Sequence, residues 1–150
     1  MHIFRTITKI PELELISYMM LIIAEKPDLG KAIAAAIPGH KEYDRENSLI
    51  RTTWEGEDTI IVWCFGHLLT LWEPEDYDEK YKTWSMDTLP FYFENWKHKV
   101  KPDPKGGNSI EKRVNQIAGL LKKADTVVNA GDIDEEGQLL VDELLEYCGW

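Results

Sequence analysis

The segment that decides the fold reads VVNAGDIDEEGQLL and covers residues 127–140. An apolar run ends at Gly131, and an apolar pattern with helical spacing begins a few residues later. Between them lie four carboxylates within five positions: Asp132, Asp134, Glu135 and Glu136. Carboxylates crowded at the end of a buried strand repel one another, so such a cluster is typical of a cation site. The segment therefore predicts a strand, an acidic turn and a helix, with metal chemistry at the turn.

A second predicted strand end carries charged residues in a similar way. The continuous apolar run at residues 21–24 is typical of a strand covered on both faces, and Glu25 and Lys26 follow it directly. In open α/β sheets, ligands bind outside the carboxyl ends of the strands. If the two strands are parallel and near neighbours, Glu25 and Lys26 face the acidic turn. Asp132 and Asp134 then present their carboxylates on the same side.

The first half of the chain alternates strand and helix patterns. Pro27 suits the first turn of a helix, which residues 28–37 continue and the following Pro-Gly pair ends. Residues 49–54 and 59–65 read as two strands of a hairpin, joined at residues 55–58.

Helical order returns near the end of the chain. Asn108, with Glu111 three residues later, resembles a capping box. The following apolar residues fall on one helix face: Ile110, Val114, Ile117 and Leu121. The basic residues of this helix, Arg113 among them, are interpreted as a solvated face. Residues 125–130 and 139–147 predict the next strand and helix, so the fold class is α/β, with an open, mostly parallel sheet flanked by helices.

The residues at the two strand ends suit magnesium and phosphate. Carboxylate oxygens are hard ligands, and Mg²⁺ usually binds through one or two carboxylates plus phosphates. The candidate metal ligands are Asp132, Asp134 and Glu136. Glu25 is a candidate for a further ligand or a general acid–base, and Lys26 for pairing with a phosphate or a developing oxyanion.

Some of these charged residues have structural alternatives. Carboxylates at a helix N-terminus interact favourably with the helix dipole. This interaction suffices to explain Glu135, and the same explanation extends to Glu136. His67 follows the third apolar strand, where a single histidine is more often structural than catalytic. If that strand ends at the same sheet edge, His67 instead contacts a phosphate.

Two segments fall outside the alternating pattern. Residues 66–108 form a long excursion that is rich in aromatic residues and charges and has little periodicity. Excursions of this length are uncommon without a function or a partner. The segment either packs its aromatic rings on the edge of the domain or forms a surface that another protein completes. Residues 1–19 are interpreted as an extension of uncertain order or a short element that packs on the domain, and residues 20–150 as one domain.

Net charge and cysteine content limit the partners and the cellular compartment expected for this chain. The net charge of −10 works against nucleic-acid binding, in which a basic surface supplies most of the affinity. Any contact with DNA or RNA therefore requires a local basic patch, a metal or residues outside this chain. Cys64 and Cys148 lack disulfide-framework or zinc spacing, and a buried free thiol at Cys64 fits a reducing cytoplasm. No apolar run approaches the length of a membrane span, so no membrane partner is expected.

The charged strand ends resemble the Toprim signature, a glutamate after the first strand and a later DxDxE motif, here Glu25 and residues 132–136. Longer stretches are similar to the opening of type IA DNA topoisomerases of the bacterial topoisomerase III group. They are IAEKPDLGKAIA (23–34), GHLL (66–69), EPEDY (73–77), NAGD (129–132) and EGQLL (136–140). The resemblance covers nearly the whole chain, from about Met20 to Trp150.

This resemblance implies a Toprim, Rossmann-like fold and a role in DNA strand cleavage and religation. Type IA enzymes cut one DNA strand through a tyrosine, pass another strand and reseal the first, and the Toprim domain supplies an acidic Mg²⁺ site beside that tyrosine. By motif match, Asp132 and Asp134 are the implied metal ligands, with Glu136 in support. Glu25 is an implied ligand or acid–base, and Lys26 an implied contact of the scissile phosphate. The implied partner is single-stranded DNA, bound mainly through downstream topoisomerase domains.

Two departures from the family pattern bear on activity. Glu135 stands where the family usually has arginine, and this change of two charge units is expected to weaken DNA binding. None of the six tyrosines occupies a motif that matches the nucleophile, so this chain alone is not expected to complete strand cleavage. Two alternatives stay open: a free-standing Toprim protein with metal-dependent nuclease or phosphotransfer activity, and a degenerate Toprim module that only binds a partner.

Overall fold

The computed structural model describes residues 18–83 and 85–150. Seven strands lie within them: β1 (Met19–Ala24), β2 (Glu42–Asp44), β3 (Leu49–Trp54), β4 (Glu57–Trp63), β5 (Leu69–Leu71), β6 (His98–Val100) and β7 (Thr126–Ala130). The α-helices are α1 (Pro27–Ala36), α2 (Pro74–Tyr77), α3 (Ser109–Leu121) and α4 (Glu135–Cys148), and two 3₁₀ turns cover Glu79–Lys82 and Met86–Thr88. The proposed N-terminal extension falls mostly outside the described residues, and β1 begins at Met19, inside the segment assigned to it.

Five of these strands form one mixed sheet in the order β2-β3-β4-β1-β7. β1 pairs in parallel with both β4 and β7, whereas β3 pairs antiparallel with β2 and β4. Among these five strands, β3 alone therefore runs against the others, and the predicted mostly parallel α/β sheet is confirmed. The predicted β3–β4 hairpin is also present. Its loop is only Glu55 and Gly56, whose positive φ angles of 55° and 89° are typical of a tight hairpin turn.

Helices cover both faces of this sheet. On one face, Ile22, Ile61 and Trp63 share a hydrophobic cluster with residues of α1. On the other face, Leu21 and Ile23 share a cluster with residues of α3 and α4. Successive side chains of a strand point to opposite faces, so β1 must be apolar throughout to be buried on both. This explains the continuous apolar run at residues 21–24.

Helix α3 differs from its prediction in how it begins. The apolar face over Ile110, Val114, Ile117 and Leu121 does pack into the core. The predicted capping box is wrong, because the Asn108 side chain makes no capping hydrogen bond. Asp103 replaces it, since its carboxylate accepts hydrogen bonds from the Ser109 backbone N–H, at 3.2 Å, and from the Ser109 hydroxyl.

Arg113 lies on the helix face that was interpreted as solvated, and that interpretation is wrong for this residue. Only 3% of Arg113 is exposed. Its guanidinium donates to the backbone carbonyls of Trp63, at 2.8 Å, Asn47, at 2.9 Å, and Ser48, at 3.0 Å. A buried cation is tolerated when its donors are satisfied, and these carbonyl dipoles satisfy it. Arg113 thus joins α3 to the ends of β3 and β4.

The excursion at residues 66–108 contains short ordered elements. β5 and β6 pair antiparallel as a separate two-stranded sheet. Aromatic rings of this segment pack on one another: the centroids of Tyr77 and Phe93 are 4.0 Å apart, and those of Tyr81 and Phe91 are 5.0 Å apart. These contacts lie within the segment, so packing of its rings on the edge of the domain stays a prediction. Met86 and Tyr92 remain exposed, so a partner surface also stays a prediction.

Two smaller expectations concern the cysteines and the membrane. Cys64 and Cys148 are both free thiols, and Cys64 is fully buried, as predicted. Burial raises the pKa of the Cys64 thiol to about 12, so it stays protonated near neutral pH. In the described part of the chain, no helix is both long and apolar enough to cross a membrane.

Candidate metal and phosphate site

Parallel pairing of β1 with β7 builds the site. The register places Ala24 beside Ala130, so that the residues following both strands emerge at one edge of the sheet. The Lys26 ammonium nitrogen lies 2.7 Å from Asp132 Oδ2 and 2.9 Å from Glu25 Oε1. The predicted meeting of Glu25 and Lys26 with the acidic turn is therefore observed for Asp132.

Glu25 is the buried member of this group, with 9% of its surface exposed. Its Oε2 accepts a long hydrogen bond of 3.4 Å from the backbone N–H of Asp132. The Lys26 side chain is more than half exposed, by contrast. Its hydrogen bonds to Asp132 and then Glu25 raise the pKa of Lys26 above its ordinary value of 10.5, so Lys26 stays cationic at neutral pH.

Two glycines allow the acidic turn to lie against the start of α4. A Cβ atom added at Gly131 would lie 2.1 Å from the carbonyl oxygen of Gly137. A Cβ added at Gly137 would lie 2.5 Å from the backbone nitrogen of Asp132 and 2.8 Å from Glu25 Oε2. All three distances are under 3.0 Å, which Cβ atoms essentially never show. Glycine at these positions is what permits Glu25 and Asp132 to approach the helix.

Asp134 serves as the N-cap of α4. Its Oδ1 accepts a hydrogen bond of 2.7 Å from the backbone N–H of Gly137. This cap explains why α4 begins at Glu135 and not at Leu139, where the prediction placed its start, because an N-cap satisfies free N–H groups of the first helical turn. The Asp132 and Asp134 carboxylates thus have different partners, namely Lys26 and the helix terminus.

The remaining predicted residues also reach this edge of the sheet. His67 Nε2 lies 3.1 Å from Glu136 Oε1, which links the end of the β4 segment to the first turn of α4. The two side chains are 46% and 77% exposed, so the contact faces solvent. Glu135 is exposed on the same first turn. The predicted site residues therefore lie on the connections that follow β1, β4 and β7, except Glu136, which lies in the first turn of α4.

One residue of the site was missed by the sequence reasoning. Asn129, near the end of β7, bonds to the backbone of both Gly131 and Gln138 and to the Asp142 carboxylate. The NAGD motif at residues 129–132 predicts no role for the Asn129 side chain. A polar residue inside an otherwise apolar strand was the available signal.

The donor types at this edge fit a hard divalent cation. Glu25, Asp132 and Asp134 lie on the connections that follow β1 and β7, and Glu136 lies in the first turn of α4. Mg²⁺ needs only one or two of these carboxylates when phosphates supply other oxygens. Within residues 18–83 and 85–150, no group of three or more acidic, histidine or cysteine side chains is arranged so that it could hold a metal. The Asp132 side chain is 39% exposed and pairs with Lys26.

Comparison with known proteins identifies the family of the chain. The Toprim domain family model matches residues 20–149. The chain is 43% identical over 128 residues to DNA topoisomerase 3 of Vibrio cholerae, a match that covers 85% of this chain and 18% of the relative. It is 40% identical over 129 residues to DNA topoisomerase 3 of Salmonella typhimurium, which covers 86% of this chain and 18% of the relative.

A more distant relative extends the comparison. DNA topoisomerase 3 of Bacillus thuringiensis is 34% identical over 121 residues, covering 80% of this chain and 15% of the relative. The chain thus spans less than a fifth of the length of these curated relatives. From the family match, and from a mixed α/β sheet whose strand ends gather the signature residues, it follows that this chain belongs to the Toprim domain family and is homologous to the N-terminal region of bacterial DNA topoisomerase 3.

Proposed function

We propose that this chain supplies the Mg²⁺-binding part of a type IA centre that cleaves and religates single-stranded DNA. One observation carries the proposal: the parallel pairing of β1 and β7 brings Glu25, Lys26 and Asp132 into direct contact. Two carboxylates and a lysine at the carboxyl ends of neighbouring strands suit a phosphate ester held with a divalent metal. DNA topoisomerase 3 relatives support this choice of substrate.

Each residue has a distinct role in this proposal. Asp132 and Asp134 would hold the metal, with Glu136 in support, and Glu25 would be a further ligand or an acid–base. The chemistry that such an ion would supply when bound is neutralisation of the phosphate charge. Lys26 leaves Asp132 to pair with the scissile phosphate, which its permanent charge favours. His67 donates a hydrogen bond to a neighbouring phosphate when it is released from Glu136.

Strand cleavage also requires a nucleophile. In this proposal the tyrosine and most of the single-strand contacts belong to downstream topoisomerase domains, and this chain alone does not relax supercoiled DNA. Relaxation by the isolated chain would contradict that division of roles. A cytoplasmic location belongs to the same proposal, because free thiols fit a reducing compartment.

A magnesium titration of the isolated chain tests the proposal. We expect calorimetry to detect millimolar-range Mg²⁺ binding by the wild-type protein and to lose it in the double variant Asp132→Asn, Asp134→Asn. The control is Glu42→Gln with Glu146→Gln, which removes the same charge at the far edge of the sheet and at the other end of α4. Equal binding by all three proteins would contradict the metal assignment.

The acidity of the site also favours a second candidate, a Toprim module that binds a partner without catalysis. Glu135 is exposed on the first turn of α4, so it adds negative charge where phosphate would approach. A folded wild-type chain that binds no Mg²⁺ would support this candidate. Magnesium-dependent nicking of DNA or RNA, lost in the double aspartate variant, would instead support a nuclease.

A further inference from the structure

The Asn129 side chain forms three hydrogen bonds around the acidic turn. Its amide nitrogen donates to the Gln138 carbonyl oxygen at 3.0 Å and to Asp142 Oδ1 at 2.8 Å. Its Oδ1 accepts from the backbone N–H of Gly131 at 3.0 Å. Three of the four hydrogen bonds that an asparagine side chain can make are therefore formed.

Strand geometry explains why this side chain reaches α4. Its neighbours Val128 and Ala130 pack in the cluster beside α1. Successive side chains alternate between faces of the sheet, so Asn129 and Val127 lie on the opposite face. Val127 packs there against the core formed with α3 and α4. Asn129 is thus the polar position on a face that is otherwise used for packing.

The partners of Asn129 lie on both sides of the candidate metal ligands. Gly131 directly precedes Asp132, whereas Gln138 follows Glu136 in the first turns of α4. The Asp142 carboxylate is itself held by the Gln138 side-chain amide at 2.9 Å. A single side chain therefore connects the backbone that enters the acidic turn to the backbone that leaves it.

We propose that Asn129 is a positioning residue for the metal site. Its hydrogen bonds hold the end of β7 and the first turns of α4 at the separation at which Asp132 lies beside Glu25. The inference rests on the proposed function, because it concerns the same metal. Outer residues that orient metal ligands typically change the affinity by roughly 10–100-fold when they are removed. Asn129 acts through the backbone, so we expect a change near the lower end, about tenfold.

Calorimetric titration of Asn129→Ala with Mg²⁺ alone tests the proposal. We expect the Kd to rise by about tenfold relative to wild type. The matched control is Val127→Ala on the same strand face, which loses core packing but keeps every hydrogen bond at the turn. Circular dichroism at the titration temperature establishes that each variant is folded. A control that weakens binding as much as Asn129→Ala would show that general destabilisation is responsible and would overturn the proposal.

A second variant, Asn129→Asp, separates a positioning role from a purely electrostatic effect, because the two predict opposite changes in Mg²⁺ affinity. In Asn129→Asp, the carboxylate still accepts from Gly131 but cannot donate to Gln138 or Asp142. Added negative charge near the turn would by itself strengthen Mg²⁺ binding. Loss of positioning predicts weaker binding, and an equal or tighter Kd would overturn the proposal.

The outcomes separate this inference from the function on which it rests. If wild type binds no Mg²⁺, the proposed function fails. If wild type binds and Asn129→Ala binds equally well, only the positioning role fails. In the absence of metal, we also expect the amide NMR signals of Gly131 and Gly137 to shift in Asn129→Ala and to stay in place in Val127→Ala.

Discussion

The Lys26 ammonium nitrogen lies 2.7 Å from Asp132 Oδ2, although 106 positions of sequence separate the two residues. It also lies 2.9 Å from Glu25 Oε1. A side-chain cation thus partly neutralises the carboxylates on which the proposed metal site depends. Both the lysine and Asp132 are partly exposed, so solvent reaches the contact. Under the proposed function, Lys26 would therefore compete with a metal until a phosphate offers it another partner.

Replacing Lys26 by glutamine separates these two roles. Removal of the competing cation is expected to tighten Mg²⁺ binding by about fivefold, the effect of one charge at contact distance in high dielectric. The same change is expected to weaken DNA binding, because the phosphate loses its partner. Calorimetry and fluorescence anisotropy with a labelled oligonucleotide measure the two effects. Lys31→Gln is the control, since Lys31 pairs only weakly with Asp28, at 3.5 Å. Weaker Mg²⁺ binding by the Lys26 variant would contradict competition.

Replacing Glu135 by arginine tests whether the first turn of α4 approaches DNA. We expect tighter binding of single-stranded DNA, with a slope of log Kd against log salt that is steeper by about 0.7 for one new phosphate contact. Glu146→Arg makes the same charge change in the last turn of the same helix. If both variants gain affinity equally, net charge alone is responsible and Glu135 does not approach phosphate.

Substituting alanine for Gly137 tests the close approach of α4 to the acidic turn. The new methyl group would meet the Asp132 backbone and the Glu25 carboxylate. We expect a loss of about 1–3 kcal/mol in the free energy of unfolding, as for overpacked cores, together with weaker Mg²⁺ binding. Urea denaturation measures the stability.

Gly119→Ala is the matched control, because Gly119 lies in α3 and a Cβ there would meet nothing within 4 Å. This control is expected to gain about 0.5–1 kcal/mol from helix propensity. Similar losses in both variants would show that the approach of Gly137 to Asp132 has no special cost.

Asp103 is expected to stabilise the start of α3 in a pH-dependent manner. Its hydrogen bonds to Ser109, followed by one to the Lys105 backbone, lower the pKa of Asp103 below its ordinary value of 3.8. A lowered folded-state pKa means that the stabilisation is present above pH 3.8 and is lost as the pH falls through the folded pKa. Asp103→Asn should therefore lower Tm at pH 7, and the difference from wild type should shrink in acid. Asn108→Ala should leave Tm unchanged. A clear drop in Tm would show that the Asn108 side chain does cap α3, as the sequence predicts.

Removing the Arg113 side chain should destabilise the fold more than its place on a basic helix face suggests. Arg113→Ala removes the guanidinium that donates to the carbonyls of Trp63 and Ser48, which is expected to cost about 3 kcal/mol. The Asn47 carbonyl also loses this donor but keeps a hydrogen bond of 2.7 Å from Gln116 Nε2. Lys112→Ala, at the adjacent exposed position, is expected to change stability by less than about 0.5 kcal/mol. Urea denaturation of both variants measures the difference. Equal, small effects would mean that water replaces the guanidinium.

Much of the fold follows from local patterns. Strands buried on both faces must be apolar throughout, so β1 and β4 are visible as short apolar runs. The position of the site follows as well, since parallel neighbours place Glu25 and Asp132 at one edge. The sequence pattern misses the first turn of α4, because that turn is acidic. The helix dipole and the Asp134 cap favour such a turn, but it carries no apolar periodicity.

The sequence by itself determined the fold class, the order of the main strands and helices, and the residues from which a metal and phosphate site can be built. These properties depend on hydrophobic periodicity and on residue chemistry, both of which act over short stretches of chain. Only the tertiary structure decided the partners of those residues. Lys26 meets Asp132, Asn129 spans the acidic turn and Arg113 is buried because separate elements pack together. Hydrogen bonds and burial between distant segments depend on that packing, and no local pattern encodes them.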